Sequence, residues 1–137
     1  MNAELRLADV LAELAEILCR EVQADACAIS RAVGDVLIVI AEHAPGRSVE
    51  VGQAFLVHDY PAAREVMSKR APLQLSIADP ATILRQLGFG ALLMLPVEVS
   101  GEVWGLVEVY RREPDLFAED LVLAARKLVA ATAARIP

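Results

Sequence analysis

One stretch near the C-terminal end of the chain, residues 92–110, constrains the fold most strongly. It reads LLMLPVEVSGEVWGLVEVY, two apolar runs on either side of Ser100-Gly101. A two-residue loop with glycine between apolar runs of strand length is typical of a β-hairpin. Both faces of this hairpin are mostly apolar, whereas a sheet with one face in water would alternate more regularly. The pattern therefore predicts a hairpin in the middle of a sheet that has helices on both sides.

The two-residue loop also predicts the register of the hairpin. It pairs Val99 with Glu102 and, counted outward, places Leu93 opposite Glu108. On this register Glu108 shares a face with Leu93 and Trp104. Glu98 falls on the opposite face near the turn, where we expect it to be solvated.

Glu108 needs a partner on such an apolar face, because burying an unpaired carboxylate is costly. Arg64 and Arg85, on short helices predicted below, are the candidates. Two interpretations stay open: a structural pair that fixes a helix to the sheet, and a polar anchor inside a ligand pocket.

Length, composition and charge restrict the class of protein. The chain has 137 residues, 56% of them hydrophobic, and a net charge of −6. We expect one domain over residues 1–137. No apolar run is long enough for a membrane span, and the N-terminus lacks the pattern of a signal peptide. No basic cluster favours nucleic-acid binding. These features predict a cytoplasmic protein that binds neither membranes nor nucleic acid.

The two cysteines, Cys19 and Cys27, do not form a metal or redox motif. We interpret both as buried free thiols, which is the usual environment of cysteine outside disulfides.

Apolar residues at spacings of three and four predict two long terminal helices, at 3–22 and 118–135. Both stripes suit packing on the chain's own sheet, and part of each can also pair with a second copy. A homodimer built from a bundle of these helices is our expectation. The candidate interface residues are Leu7, Val10, Leu14, Leu121, Ala125 and Leu128.

The middle of the chain alternates strands with short helices. Strands are predicted at 26–33 and 36–43, around a Gly34-Asp35 turn. Residues 44–58 form a loop with a short strand near 49–51, and long ordered loops are often functional.

A helix then begins at Asp59-Tyr60-Pro61, with Asp59 as its cap and proline in its first turn, and runs to about Arg70. A strand follows at 73–77. Asp79-Pro80 opens a second short helix that Gly88 closes.

This order of elements, and three segments in particular, resemble the GAF domain family over essentially the whole chain. The segments are the hairpin 92–110, the following RREPDLFAEDLVLAARKLVA, and HDYPAAREVMSKRAPL from His58. The resemblance implies an α+β fold with an antiparallel sheet of five to six strands. The terminal helices would cover one face, and the short helices and the loop the other.

The resemblance also implies a small-molecule pocket under the short helices. The residues that we expect to line it are His58, Asp59, Tyr60, Arg64, Met67, Leu84, Phe89, Leu93, Trp104 and Glu108. Members of the family usually sense small molecules or dimerise in signalling proteins. An output domain, fused or separate, would then act downstream, and the chain would be a fragment of a larger protein or a stand-alone module.

Three ligand types of the family can be compared with these residues. Cyclic-nucleotide-binding members carry Asn-Lys, then Phe and acidic residues; here Phe117, Glu119 and Asp120 match, but Tyr110-Arg111-Arg112 replaces Asn-Lys. Covalent bilin binding needs a cysteine near the second short helix, and residues 79–90 contain none. Haem binding has only His43 and His58 available. No cofactor is therefore assigned.

We predict no catalytic or metal-binding residues, because no nucleophile–base pairing or phosphate-binding loop is evident. The leading hypothesis is a non-catalytic sensory or regulatory domain that binds a small molecule, dimerises, or does both in signal transduction. The alternatives are a pure interaction module with a collapsed pocket and an enzyme of unknown type.

Overall fold

The structure is a computed structural model that describes residues 3–46, 51–77, 84 and 88–137. Its helices and strands, in chain order, are α1 (Ala3–Glu21), β1 (Ala26–Val33), β2 (Val36–His43), β3 (Ala54–Leu56), α2 (Pro61–Lys69), β4 (Leu73–Ser76), β5 (Ala91–Val99), β6 (Glu102–Arg111) and α3 (Glu119–Ala133). A 3-10 turn, Val57–Asp59, connects β3 to α2. The predicted terminal helices and the first two strands are confirmed. The second predicted short helix falls largely outside the described residues.

All six strands form one antiparallel sheet in the order β3-β2-β1-β6-β5-β4. Both strands of the β5–β6 hairpin have neighbours on each side, as their apolar faces predicted. The α+β fold with an antiparallel sheet is confirmed.

Two apolar cores lie on opposite faces of this sheet. On one face α1 and α3 contact each other, and they pack against β2, β1 and β5. Leu18, Ile29 and Leu95 are fully buried in this first core. The other face is covered by α2, and the second core includes Val66 and Leu106. Each predicted layer is therefore present, with the terminal helices together on one side.

The predicted register of the β5–β6 hairpin is correct at the turn and wrong beyond it. Val99 pairs with Glu102, and positive φ angles at Ser100 (53°) and Gly101 (81°) suit a type I′ turn. A bulge then leaves Trp104 without a residue opposite it. Because side chains alternate between faces, this one-residue shift changes which side chains of β5 share a face with which side chains of β6 beyond the bulge. Glu108, for example, lies opposite Met94 and not opposite Leu93.

Gly105 lies next to this bulge and explains how β1 can pair so closely there. A Cβ at this position would collide with the carbonyl oxygen of Ser30 on β1. Gly105 is therefore needed for the close approach of two backbones, a common role of glycine in strands.

The strand predicted near 49–51 falls mostly outside the described residues. Residues 47–50 lie outside the described part, Val51 is in a turn, and the strand that pairs with β2 is Ala54–Leu56. The pairing of β3 with β2 decides the strand position, since Val36 lies opposite Leu56.

Arg111 joins the end of β6 to both terminal helices. Its guanidinium donates to the carbonyls of Val22 (2.8 Å) and Gln23 (3.2 Å), which follow α1, and to that of Leu116 (3.3 Å), which precedes α3. The guanidinium also lies over the Phe117 ring, with Cζ 3.9 Å from the centroid. One side chain thus supplies donors to backbone carbonyls in the segments that flank the two terminal helices.

Arg70 connects the end of α2 to the hairpin turn. It caps the helix in a left-handed conformation, with φ 55° and ψ 42°. Its Nη1 donates to the carbonyl oxygen of Gly101 at 2.6 Å.

Among the described residues, none of the helices has the length and apolar character needed to cross a membrane.

Candidate functional site

Glu108 is the polar centre of the sheet face that α2 covers. It lies on β6 opposite Ala28 of β1 and Met94 of β5, and only 8% of it is exposed. A carboxylate in such surroundings loses most of its hydration, so hydrogen bonds from the protein must replace water. Glu108 is therefore the residue around which the geometry of this face must be described.

Two phenol hydroxyls donate to the same oxygen of Glu108. Tyr60 Oη lies 2.8 Å from Glu108 Oε2, and Tyr110 Oη lies 2.7 Å from it. These are the only two tyrosines in the sequence. Hydrogen bonds to an ionised acceptor are short and about twice as strong as neutral ones. The prediction that Arg64 pairs with Glu108 is therefore wrong, because the Arg64 side chain is exposed. The other predicted partner, Arg85, lies outside the described residues.

Burial raises the pKa of Tyr60 well above its usual value, and the nearby Glu108 charge raises it further. Deprotonation would place a second negative charge beside the carboxylate, in surroundings that solvate neither. Tyr60 therefore remains a hydrogen-bond donor at neutral pH and does not supply a general base.

Tyr60 is positioned at the start of α2. It occupies the N-cap position without a side-chain cap, its N–H donates to Val57 O at 3.0 Å, and Pro61 is the first helical residue. The prediction that Asp59 caps this helix is wrong, because Asp59 belongs to the preceding 3-10 turn. The one-residue displacement leaves the Tyr60 ring free to turn inward.

Tyr110 is held by an aromatic neighbour. Its ring stacks on Phe89, with centroids 4.8 Å apart and an interplanar angle of 29°. Phe89 is buried, and its N–H donates to Leu84 O at 3.1 Å. The next residue, Gly90, has no room for a Cβ because the backbone of Arg112 to Pro114 passes close by. The stacked pair therefore lies beside the carboxylate in closely packed surroundings.

Apolar side chains surround this hydrogen-bonded group. Five predicted pocket residues share this face of the sheet: Tyr60, Met67, Leu84, Phe89 and Glu108. The remaining members of the second core include Leu37, Ala63, Val66, Leu92 and Met94, which are buried. A mostly apolar surface with a few convergent polar groups is typical of a small-molecule site.

His58, Asp59 and Arg64 lie on the exposed side of this region. His58 Nδ1 is 3.5 Å from Asp35 Oδ2, and His58 Nε2 is 3.1 Å from Asp59 Oδ1. These contacts connect the β1–β2 turn to the 3-10 turn at the surface. None of the three side chains reaches Glu108.

Leu93 and Trp104 do not belong to the Glu108 face, which corrects the prediction. Leu93 is buried in the first core, and Trp104 packs against that core from its edge. Trp104 also has Arg31 Cζ 5.6 Å from its ring centroid. The physical reason is the bulge at Trp104, which moves Glu108 opposite Met94.

Sequence reasoning missed Tyr110 as a site residue. Its position, two residues after Glu108, puts both side chains on the same face of β6. That spacing was the available signal, since a tyrosine beside a buried carboxylate supplies a donor.

The predicted interface residues divide into two groups. Leu14 and Ala125 are buried in the chain's own first core, so little of either side chain is exposed on the single chain. Leu7, Leu121 and Leu128 are partly buried against the same core, and Val10 is also partly buried. The apolar side chains that project into solvent here are Leu123, 51% exposed, and Leu116, 54% exposed.

Both thiols lie in the first core, away from Glu108, and the prediction of buried free cysteines is confirmed. Burial, and to a lesser extent Asp25, raises the pKa of Cys19 to about 12. Within the described ranges, no group of three or more His, Cys, Asp or Glu side chains is placed to hold a metal ion. The group around Glu108 can donate hydrogen bonds through hydroxyls, accept them through the carboxylate, and stack against a ligand through aromatic rings.

Comparisons with known proteins agree with this architecture. The blue-light absorbing form of the PixJ GAF domain from Thermosynechococcus elongatus is 20% identical with a TM-score of 0.81, over 99% of this chain and 88% of that one. The phycocyanobilin-bound GAF domain of a cyanobacterial phytochrome is 23% identical with a TM-score of 0.82, over 95% and 84%. The GAF domain/HD domain protein from Geobacter sulfurreducens is 22% identical with a TM-score of 0.78, over 93% and 89%.

The sequence identities to these structures are low, so the likeness shows the fold alone. A comparison with curated protein sequences gave no significant match. The family profile described as GAF domain matches residues 6–136, nearly the whole chain. The chain belongs to the GAF domain family.

Proposed function

We propose that this chain is a non-catalytic sensory domain that binds a small molecule over Glu108 and acts through its terminal helices. The carrying observation is the Glu108 carboxylate, buried on the face opposite those helices and held by two tyrosine hydroxyls. Such a group orients a ligand that has hydrogen-bond donors, while Phe89 and the apolar core provide contact area.

The similar structures support a ligand on this domain. One is described as phycocyanobilin-bound and another as a blue-light absorbing form. Cys19 and Cys27 are both in the core under the terminal helices. A ligand over Glu108 would therefore be held without a bond to either thiol.

We propose that signalling involves a cytoplasmic homodimer and an output domain. The Geobacter sulfurreducens relative is described as a GAF domain/HD domain protein, which supports a role beside an output domain. Leu123, exposed on α3, and the partly buried Leu7, Val10, Leu121 and Leu128 supply apolar area for a helical interface. Sedimentation velocity tests this: Leu123→Glu should weaken a dimer, whereas Ala131→Glu, on an exposed α3 position, serves as the control.

A pure interaction module is the second candidate. The observation that favours it is the packing of the Glu108 face, where Leu84, Met94 and Leu106 are completely buried. If these contacts close the pocket, Glu108 and the tyrosines serve only to fix α2 to the sheet.

Native mass spectrometry of the protein purified from cells decides between the two candidates. The sensory function predicts additional mass on the chain, reduced in Glu108→Gln and retained in the control Glu102→Gln, an exposed residue of the same hairpin. Bare chain mass, together with no ligand recovered from denatured protein, would favour the interaction module. Thermal melting of both variants separates loss of ligand from loss of fold.

A further inference from the structure

A cavity of about 380 Å³ lies on the opposite face of the sheet from Glu108, between α3 and the end of β5. It forms where β5 extends past the end of β4. The pairing between the two strands stops at Leu73 of β4 and Met94 of β5. From Leu95 onward, β5 has no strand on that side among the described residues. Pro96 in this segment suits an unpaired strand edge, because it has no N–H to donate. The space therefore results from the unequal lengths of two strands.

The floor of the cavity is apolar. Leu95, Val129, Ala133 and Ile136 line it, and all four are buried members of the first core. The alanines in the second half of α3 leave a gap that larger side chains would fill. A volume of this size falls at the lower end of small-molecule sites.

The rim of the cavity carries an excess of positive charge. Arg70 and Arg126 line it together with a single carboxylate, Glu98. The side chains of Arg126 and Glu98 form no hydrogen bond or ion pair with any described residue, and Arg70 donates to Gly101 O through Nη1. Two guanidiniums against one carboxylate leave one positive charge beside an apolar floor, with most of the N–H donors available.

We propose that this cavity binds a small carboxylic acid with an apolar body. The carboxylate lies at the rim, where Arg126 donates paired hydrogen bonds in the planar geometry that a guanidinium offers to a carboxylate. The apolar body lies along the floor against Leu95 and Val129. This site is separate from the proposed pocket over Glu108 and does not depend on that function.

Isothermal titration calorimetry with octanoate tests the proposal on the whole chain. We expect one saturable site per chain, and no comparable binding of octylammonium, which has the same apolar body and the opposite charge. Arg126→Gln should weaken octanoate binding at least about tenfold, because it removes the charged fork. Lys127→Gln, a change of equal charge at the neighbouring exposed position, should leave the affinity unchanged.

A second pair of variants tests the location. Ala130 lines the cavity and Ala131 does not, although both are exposed on α3. Ala130→Phe should fill the space and abolish octanoate binding, whereas Ala131→Phe should not change it. Equal binding of octanoate and octylammonium, or octanoate affinity unaffected by both Arg126→Gln and Ala130→Phe, would overturn the proposal. Circular dichroism melting confirms that each variant is folded.

Discussion

Tyr110 donates a 2.7 Å hydrogen bond to Glu108, the residue two positions before it on the same strand. Alternation along a strand brings two such side chains to one face, so the donor and the acceptor come from a single short segment. Tyr60 then reaches the same carboxylate oxygen from another part of the chain. The hydrogen bond from Tyr60, which fixes α2 to the sheet, is thus made to a carboxylate that already has a partner, Tyr110, on its own strand.

Removing each tyrosine hydroxyl should destabilise the fold, and removing both should cost more than the sum. A hydrogen bond to a charged group contributes about 1.5–3 kcal/mol to stability. Because both hydroxyls donate to one oxygen, each partly compensates for loss of the other. Urea unfolding of Tyr60→Phe, Tyr110→Phe and the double variant measures the coupling, which we expect to exceed about 0.5 kcal/mol. Strictly additive values would contradict the shared acceptor.

Alkaline pH should destabilise the protein through Cys19 and Tyr60. Burial raises the pKa of Cys19 from 9.0 to about 12, and it raises that of Tyr60 above its usual value. The folded state therefore keeps protons that the unfolded state releases, and the free energy of unfolding falls as pH rises. The decline should begin near pH 9 for Cys19 and, since the free phenol titrates near about 10, later for Tyr60.

Denaturant midpoints between pH 8 and 11 provide the measurement. Cys19→Ala should make the decline from pH 9 shallower, and Tyr60→Phe should do so only at higher pH. If neither variant changes the slope, the two groups titrate alike in the folded and unfolded states, contrary to their burial.

Arg111→Lys should destabilise the protein by about 2–3 kcal/mol, because a lysine ammonium cannot replace a fork that contacts carbonyls beside both terminal helices. Arg112→Lys is the matched control, since the next side chain is exposed and only its backbone N–H bonds to Asp25. Chemical unfolding of the two variants measures the difference. Equal stabilities would show that the Arg111 contacts contribute little.

Gly105→Ala should destabilise the fold by about 1–3 kcal/mol or more, because the added Cβ meets the Ser30 carbonyl on a neighbouring central strand. Gly101→Asn is the control: a side chain there enters open space, and asparagine tolerates its positive φ of 81°. Thermal melting compares the two. A Gly105→Ala protein as stable as the control would mean that β1 and β6 separate easily at this point.

The extent of the fold that sequence predicts depends on how local each signal is. The two hairpin turns and the terminal helices follow from glycine placement and from spacings of three and four, which need no tertiary information. The bulge at Trp104 does not, because it results from the fit of β6 against β1 and β5. Gly105 was the residue that could have indicated it.

The candidate site was predicted in part for the same reason. Glu108 was identified as a buried carboxylate that needs a partner, and Tyr60 was placed near the face that α2 covers. The choice of arginine as partner was wrong for Arg64, since formal charge alone cannot show which donor can turn inward. The position of Tyr60 just before Pro61 decided that outcome in the folded chain.

The hydrogen bond from Arg70 to the carbonyl of Gly101 has a mechanical consequence. It fastens the C-cap residue of α2, the helix that covers the Glu108 face, to the tip of the hairpin, where the rim of the cavity beside α3 begins. Any displacement of α2 must either break this bond or pull the hairpin tip with it. A movement of α2 on one face of the sheet can therefore be passed to the hairpin tip beside the other face through this one side chain, without any rearrangement of the strands between them.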